Sequence, residues 1–321
     1  MQVPEPIPLD DHVFDFAFHP KESLLVAGLI TGHVHCYRYG VEGNQQLWST
    51  QLSKKSCRGV EFTPEGSVLI SISRDRSIQK VDVQTGRLLM RMPKAHKYPI
   101  NKMCLMDENM MATGDDEGVV KIWDQRTQKA VKEYKVHEDF IADMIFTDGY
   151  SNIQINRGDG RLSVHDLRAD QPTGPPEPVE DELLCLSILK NGTQVVAGSQ
   201  SGALYLWQWG EWKTKTPPSG PDRWVGHPSS VDSQCKLDEE TICTGGSDGI
   251  LRLVTIVPKR RFEGVLGDHG EDFPVERVRM TAQQDFLGSC GHDLQLRFWD
   301  VGFLFEQETS KPTNTFYHDL T

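Results

Sequence analysis

The sequence predicts an all-β chain folded as a seven-bladed propeller of four-stranded antiparallel blades. Two observations carry that expectation. Seven segments share one plan: an alternating strand, a polar turn, a second strand ending in small residues, a turn rich in Asp and Gly, and a third strand often ending in Trp-Asp. The turn before that third strand has a marker position at Gly32, Arg76, Gly118, Gly160, Gly202, Gly249 and Leu294, about 42 to 47 residues apart. That interval is the period of a four-stranded propeller blade.

The repeats follow one another along the chain. The first two read FDFAFHPKESLLVAGLITGHVHCYRY and CRGVEFTPEGSVLISISRDRSIQKVDV. The third, residues 100–124, is the clearest: INKMCLMDENMMATGDDEGVVKIWD. The fourth, IADMIFTDGYSNIQINRGDGRLSVHD, carries Gln154 and Asn156 where small or apolar residues are expected, so it is predicted to be the least regular, or shifted by one. LLCLSILKNGTQVVAGSQSGALYLWQW, VDSQCKLDEETICTGGSDGILRLVTI and VERVRMTAQQDFLGSCGHDLQLRFWD complete the set. Glycine suits the marker position because it reaches positive φ without steric cost. Arg76 and Leu294, each after an Asp, predict turns of another type.

A closed ring removes most exposed sheet edges and needs a strand from one terminus to complete the blade built by the other. Residues 302–307 (GFLFEQ) are the favoured strand, because Pro4, Pro6 and Pro8 remove ladder donors from the N-terminal alternative. The propeller is assigned residues 1–308, with 309–321 a short C-terminal tail. Residues 169–182 (ADQPTGPPEPVEDE) and 209–224 (WGEWKTKTPPSGPDRW) read as extended surface loops. Trp212 and Trp224 in the second loop are candidate partner-binding residues; packing back onto the barrel is the plainer alternative.

His96, Thr113, Asp116 and Trp123 mark the third repeat. Their order resembles the WD40 family, in which a histidine, a Ser or Thr, a turn Asp and a Trp form a buried hydrogen-bonded chain. The resemblance implies that these four form such a chain. The last repeat keeps His269, Ser289 and Trp299, with His292 at the Asp position. The sixth keeps His227 and Thr244, with Ser247 and Val254 at the other two, and His137 opens the fourth. These are structural roles, since their spacing follows the blade period and no metal-binding pattern.

Composition sets further bounds. Hydrophobic residues make up 37% and charged residues 25%, which fits a folded soluble chain. No apolar run is long enough to span a bilayer, and the N-terminus does not read as a secretory signal. The seven scattered cysteines, never spaced C-x-x-C, predict neither a disulfide framework nor a zinc site. They predict a reducing compartment. The net charge of −12 repels a polyanion, so contact with nucleic acid would need a local patch such as Lys54–Lys55 or Lys259–Arg261. Ordinary solvated loop charge is the plainer reading of both.

No enzyme motif appears: no phosphate loop, H-E-x-x-H, G-x-S-x-G or dinucleotide G-x-G-x-x-G. His33 and His35 share a strand face, but no third ligand accompanies them. No catalytic residue, cofactor or metal is expected. Function is expected in the loops at the two rims and in the central channel.

Several stretches are more specific than a generic blade: FAFHP (16–20), LWST (47–50), KAHKYPIN with DENMMATGDDEGVVKIWDQR (within 94–126), HEDFIADM (137–144), CTGGSDGILR (243–252) and GHDLQLRFWD (291–300). They span nearly the whole chain and resemble the WD repeat-containing protein 55 family and its fungal counterpart. That resemblance implies a nuclear and nucleolar scaffold for ribosome biogenesis, in rRNA production and large-subunit maturation. Its partners would be other proteins, pre-ribosomal factors among them, and the chain would be a monomer. Members of the fungal branch usually carry a lysine-rich tail after the propeller, which this sequence lacks up to Thr321, so retention through basic residues is not expected and import is expected to rely on a partner. IWDQR (122–126) also matches the W-D-x-R element of cullin-RING ubiquitin ligase receptors, with VHDLR (164–168) a partial copy. In that alternative Arg126 and Arg168 would face the ligase adaptor.

Overall fold

The structure, a computed structural model, describes residues 2–135, 139–147, 152–157, 159–167, 178–209, 220–271 and 273–305, with 152–157 as backbone only. The first blade is β2 (Val13–Phe18), β3 (Leu24–Leu29), β4 (His33–Arg38) and β5 (Gln45–Gln51). The second is β6 (Cys57–Phe62), β7 (Val68–Ser73), β8 (Ile78–Asp82) and β9 (Leu88–Met92). The third is β10 (Ile100–Leu105), β11 (Met110–Asp115), β12 (Val119–Asp124) and β13 (Lys129–Lys135). A three-stranded sheet follows: β14 (Ile141–Thr147), β15 (Asn152–Arg157) and β16 (Leu162–Asp166). Next come β17 (Leu183–Leu189), β18 (Gln194–Ser199), β19 (Ala203–Gln208) and β20 (Asp222–Val225). They precede β21 (Val231–Lys236), β22 (Thr241–Gly246), β23 (Ile250–Thr255) and β24 (Arg261–Asp268). The last blade joins β25 (Val275–Met280), β26 (Phe286–Gly291) and β27 (Gln295–Asp300) to β1 (Ile7–Pro8).

The expectation of seven four-stranded blades is therefore corrected: among the described residues the four-stranded blades number six. The sheet β14–β16 has no fourth strand among the described residues. The sequence after β16 holds Pro172, Pro175, Pro176 and Pro178, which carry no N–H to donate to a ladder. Within this sheet β15 pairs with both neighbours, and the only register shift is the one shared with every other first strand. Gln154 and Asn156 have side chains outside the described residues, as are His137 and the whole of residues 210–219.

Closure differs as well. The N-terminal strand completes the last blade, with Ile7 opposite Leu296. Residues 302–305, expected as a strand, form the short helix α1 (Gly302–Phe305). The prolines do not prevent pairing, because they alternate. Ile7 and Leu9 face β27, Leu9 donating to the Leu294 carbonyl at 2.9 Å. Pro6 and Pro8 put their missing donors on the open edge. Ile7, 2% exposed, packs with Phe16, Leu25 and Leu296.

Apolar side chains of each sheet pack on those of the next, so one sheet alone could not bury them. Val60 and Leu69 of the second blade, for example, share a cluster with Val26 and Val34 of the first. The turn markers behave alike in one respect the sequence did not suggest. Gly249 has φ of 77°, and a Cβ there would lie 2.1 Å from the Gly270 carbonyl oxygen. Arg76 (72°) and Leu294 (58°) take the same left-handed backbone, so these turns are not of another type.

Every first strand carries a register shift near its start, at Val13/Asp15, Cys57/Gly59, Ile100/Lys102, Ile141/Asp143, Leu183/Cys185, Val231/Ser233 and Val275/Arg277. The shift re-aims the residue after it. Asp15 accepts the Val60 amide at 3.1 Å, Asp143 the Leu186 amide at 2.9 Å and Ser233 the Val278 amide at 3.0 Å, each in the following sheet. One side chain thus stitches neighbouring sheets beside the axis.

Candidate functional site

The first strands surround a central channel of about 990 Å³. Its wall holds charges that the sequence pattern alone did not single out: Asp15, Glu61, Lys102, Asp143, Arg277 and Arg279. Arg279 Nη2 donates to both oxygens of Asp15 at 3.1 Å, and Arg277 Nε lies 3.1 Å from Asp15 Oδ1. Lys102 Nζ lies 3.4 Å from Asp143 Oδ1. Burial alone would raise the Asp15 carboxyl. Arg279, Arg277, Lys102 and the Val60 amide outweigh it and hold that carboxyl below its ordinary range. Burial pushes Glu61 up to about 7, with Asp15 adding and the two arginines opposing. A signal was present at Asp15: one charge in the middle of an otherwise apolar first strand, VFDFAF.

The rim where the second-to-third-strand turns lie carries one acidic and one basic cluster. Asp232, Asp248 and Glu276 stand on one side, Glu276 paired to His292 at 2.6 Å. Burial, with Glu276 and Asp248 nearby, pushes Asp232 up to about 6. Lys54, Lys55, Arg74 and Lys97, all exposed, stand over the second and third blades.

The hydrogen-bonded chain forms, with one change of member. His96 Nε2 meets Thr113 Oγ1 at 2.7 Å, and Trp123 Nε1 donates to the same oxygen at 2.7 Å. The carboxylate at His96 Nδ1 is Asp115, at 2.9 Å, not Asp116. Asp115 ends β11, where its other oxygen accepts the Glu117 and Val119 amides. Asp116, one residue on, points outward and pairs with Arg58 at 2.6 Å. The last blade has a complete chain too. His269 bonds Ser289 at 2.7 Å and Asp293 at 2.9 Å, and Trp299 donates to Ser289 at 2.7 Å. Asp293, not His292, supplies the carboxylate. His227 keeps only its bond to Thr244, at 2.9 Å, and its Nδ1 has no partner.

Of the four proposed partner-binding residues, Arg126 and Trp224 are described. Arg126 grips Asp124 of its own blade through Nε (3.1 Å) and Nη2 (2.9 Å), while 68% of its side chain stays exposed. Trp224 sits in β20, half-buried, its ring 4.9 Å from Phe262. It packs on the barrel, the plainer of the two expectations. Arg168 and Trp212 lie outside the described residues.

The thiols are held quiet. All seven cysteines are free. Burial pushes the Cys36 and Cys57 thiols up to about 12 and Cys235 to about 11, far from a reactive thiolate. His35 Nδ1 lies 3.1 Å from the Tyr37 hydroxyl. Among the described residues no group of three His, Cys, Asp or Glu side chains could hold a metal ion, and no helix is long and apolar enough to cross a membrane.

Comparison with known proteins places this geometry in a lineage. A family model described as WDR55 matches residues 4–304. WD repeat-containing protein 55 of Arabidopsis thaliana is 38% identical over 302 residues, covering 94% of this chain and 83% of that protein. The protein of the same name from Bos taurus is 36% identical over 303 residues, covering 94% and 78%. WD repeat-containing protein JIP5 of Coprinopsis cinerea is 36% identical over 316 residues, covering 94% and 75%.

Proposed function

The chain belongs to the WD repeat-containing protein 55 family, and from that premise we propose that it is a non-catalytic scaffold for ribosome biogenesis in the nucleolus. One observation supports a holding role above others: two carboxylates of the channel wall are engaged across neighbouring sheets. Asp15 is taken by Arg277, Arg279 and the Val60 amide, and Asp143 by Lys102 and the Leu186 amide. Groups committed to joining neighbouring sheets are not poised for proton transfer or attack. The surfaces left for function are the rims, where loops meet other macromolecules. Pre-ribosomal proteins are the proposed partners. The ubiquitin-ligase reading gains no support, since Arg126 would first have to release Asp124.

Affinity capture of the full tagged chain from cells tests the proposal. Enrichment of large-subunit precursor proteins together with precursor rRNA is expected. Recovery of neither above an unrelated propeller would overturn it.

A further inference from the structure

Arg76 holds a conformation that five of the equivalent turns give to glycine. A side chain there costs on the order of 1 kcal/mol of backbone strain. The turn nevertheless carries a guanidinium, and Arg76 Nη1 donates to the Lys97 carbonyl at 3.2 Å. The Arg74 amide donates to the Ser56 carbonyl at 3.0 Å, which sets Arg74 beside Lys54 and Lys55. Five cations therefore share one sector of the turn rim over the second and third blades.

Two carboxylates within this sector are already taken. Asp75 receives Arg91 at 2.5 Å and Ser53 at 3.0 Å, and Asp116 receives Arg58 at 2.6 Å. Glu117, exposed on the next turn, bounds the sector. Lys54, Lys55, Arg74 and Lys97 have no ion-pair partner among the described residues. On a chain of net charge −12 such a concentration of unpaired positive charge is a local reversal of the field.

We propose that Lys54, Lys55, Arg74, Arg76 and Lys97 form a docking surface for single-stranded RNA. Charge complementarity selects a polyanion. Flat groups select RNA over an acidic protein segment. Two guanidiniums and the half-buried Tyr98 ring, with Lys97 Nζ 5.2 Å from its centroid, offer planes on which bases stack. Carboxylate side chains need no such planes. A single strand, unlike a stiff duplex, can follow a surface confined to two blade ends.

The test is fluorescence anisotropy of the full chain with a labelled oligouridylate of about 20 nucleotides, at about 50 mM and about 200 mM salt. Lys54→Glu/Lys55→Glu and Arg74→Glu/Lys97→Glu should each weaken binding at least about tenfold, and flatten the log–log salt slope by roughly 0.7 for each phosphate no longer neutralised. Lys54→Ala/Lys55→Ala should do the same in smaller measure and guards against misfolding of the reversals. Lys129→Glu/Lys259→Glu, on the opposite rim, makes the same change in net charge and should leave affinity within about twofold. Absence of binding by the unaltered chain would overturn the proposal. So would equal weakening by the opposite-rim pair, or displacement of RNA by polyglutamate at matched charge. None of these readouts depends on a role in ribosome assembly.

Discussion

Asp15 and Arg279 lie 264 residues apart in the chain and 3.1 Å apart in the channel wall. The pair joins the first strand of the first blade to the first strand of the last, so it bridges the seam at which the ring closes. Asp15→Asn removes the charge that balances Arg277 and Arg279 and should cost about 3 kcal/mol. Urea unfolding of the variant should show the drop as a lower midpoint at unchanged slope. An unchanged midpoint would show that channel water screens the pair. The pH sign follows from the lowered carboxyl. The pair's contribution is present above the unfolded-state value near 3.9 and is lost as pH falls through the lower folded value.

Asp115 and Asp116 are neighbours with unequal work. Asp115→Ala strips the partner from a buried His96 and two amides, and should cost about 1–3 kcal/mol. Asp116→Ala breaks a part-exposed ion pair and should cost under about 1 kcal/mol. Thermal melts of the two variants side by side decide the order, and equal losses would contradict the assignment.

His227 is 6% exposed, and burial, with Arg252 adding, pushes its imidazole down to about 4. The folded state keeps it neutral where the unfolded chain, near 6.5, takes up a proton. Its contribution is therefore full above about 6.5 and declines as pH falls towards 4, by roughly 2–3 kcal/mol. His227→Gln should remove that decline. Unfolding free energies measured from pH 7 down to pH 4.5 in both proteins would reveal the difference, and parallel curves would refute it.

Ile7 anchors the strand that completes the last blade. Ile7→Ala should cost about 2–4 kcal/mol through the cavity it leaves among Phe16, Leu25 and Leu296. Hydrogen exchange should show the loss concentrated in β27. Uniform loss across all blades would mean that the ring opens as one unit.

The repeats were legible because their turn spacing and two-residue alternation are local properties of the chain. The strand closing the ring was not, because the choice between residues 7–8 and 302–305 depends on which side of an edge three prolines face. Asp115 was mistaken for Asp116 for a similar reason. Both follow Gly114 in one turn, and only backbone direction decides which carboxylate turns inward. Asp15 had a signal, a lone ion in an apolar strand, but its arginine partners sit in another repeat and no spacing rule connects them. The three-stranded count of the β14–β16 sheet among the described residues had a sequence correlate, the prolines after β16, which the repeat count obscured.

The completing strand β1 is synthesised before every other described strand of the ring, and its partner β27 after them. A chain leaving the ribosome must carry Ile7 unpaired until the strands from β2 to β27 have emerged. The terminal sheet is then the last to be sealed, and a bulky group fused close to residue 7 would obstruct that final step.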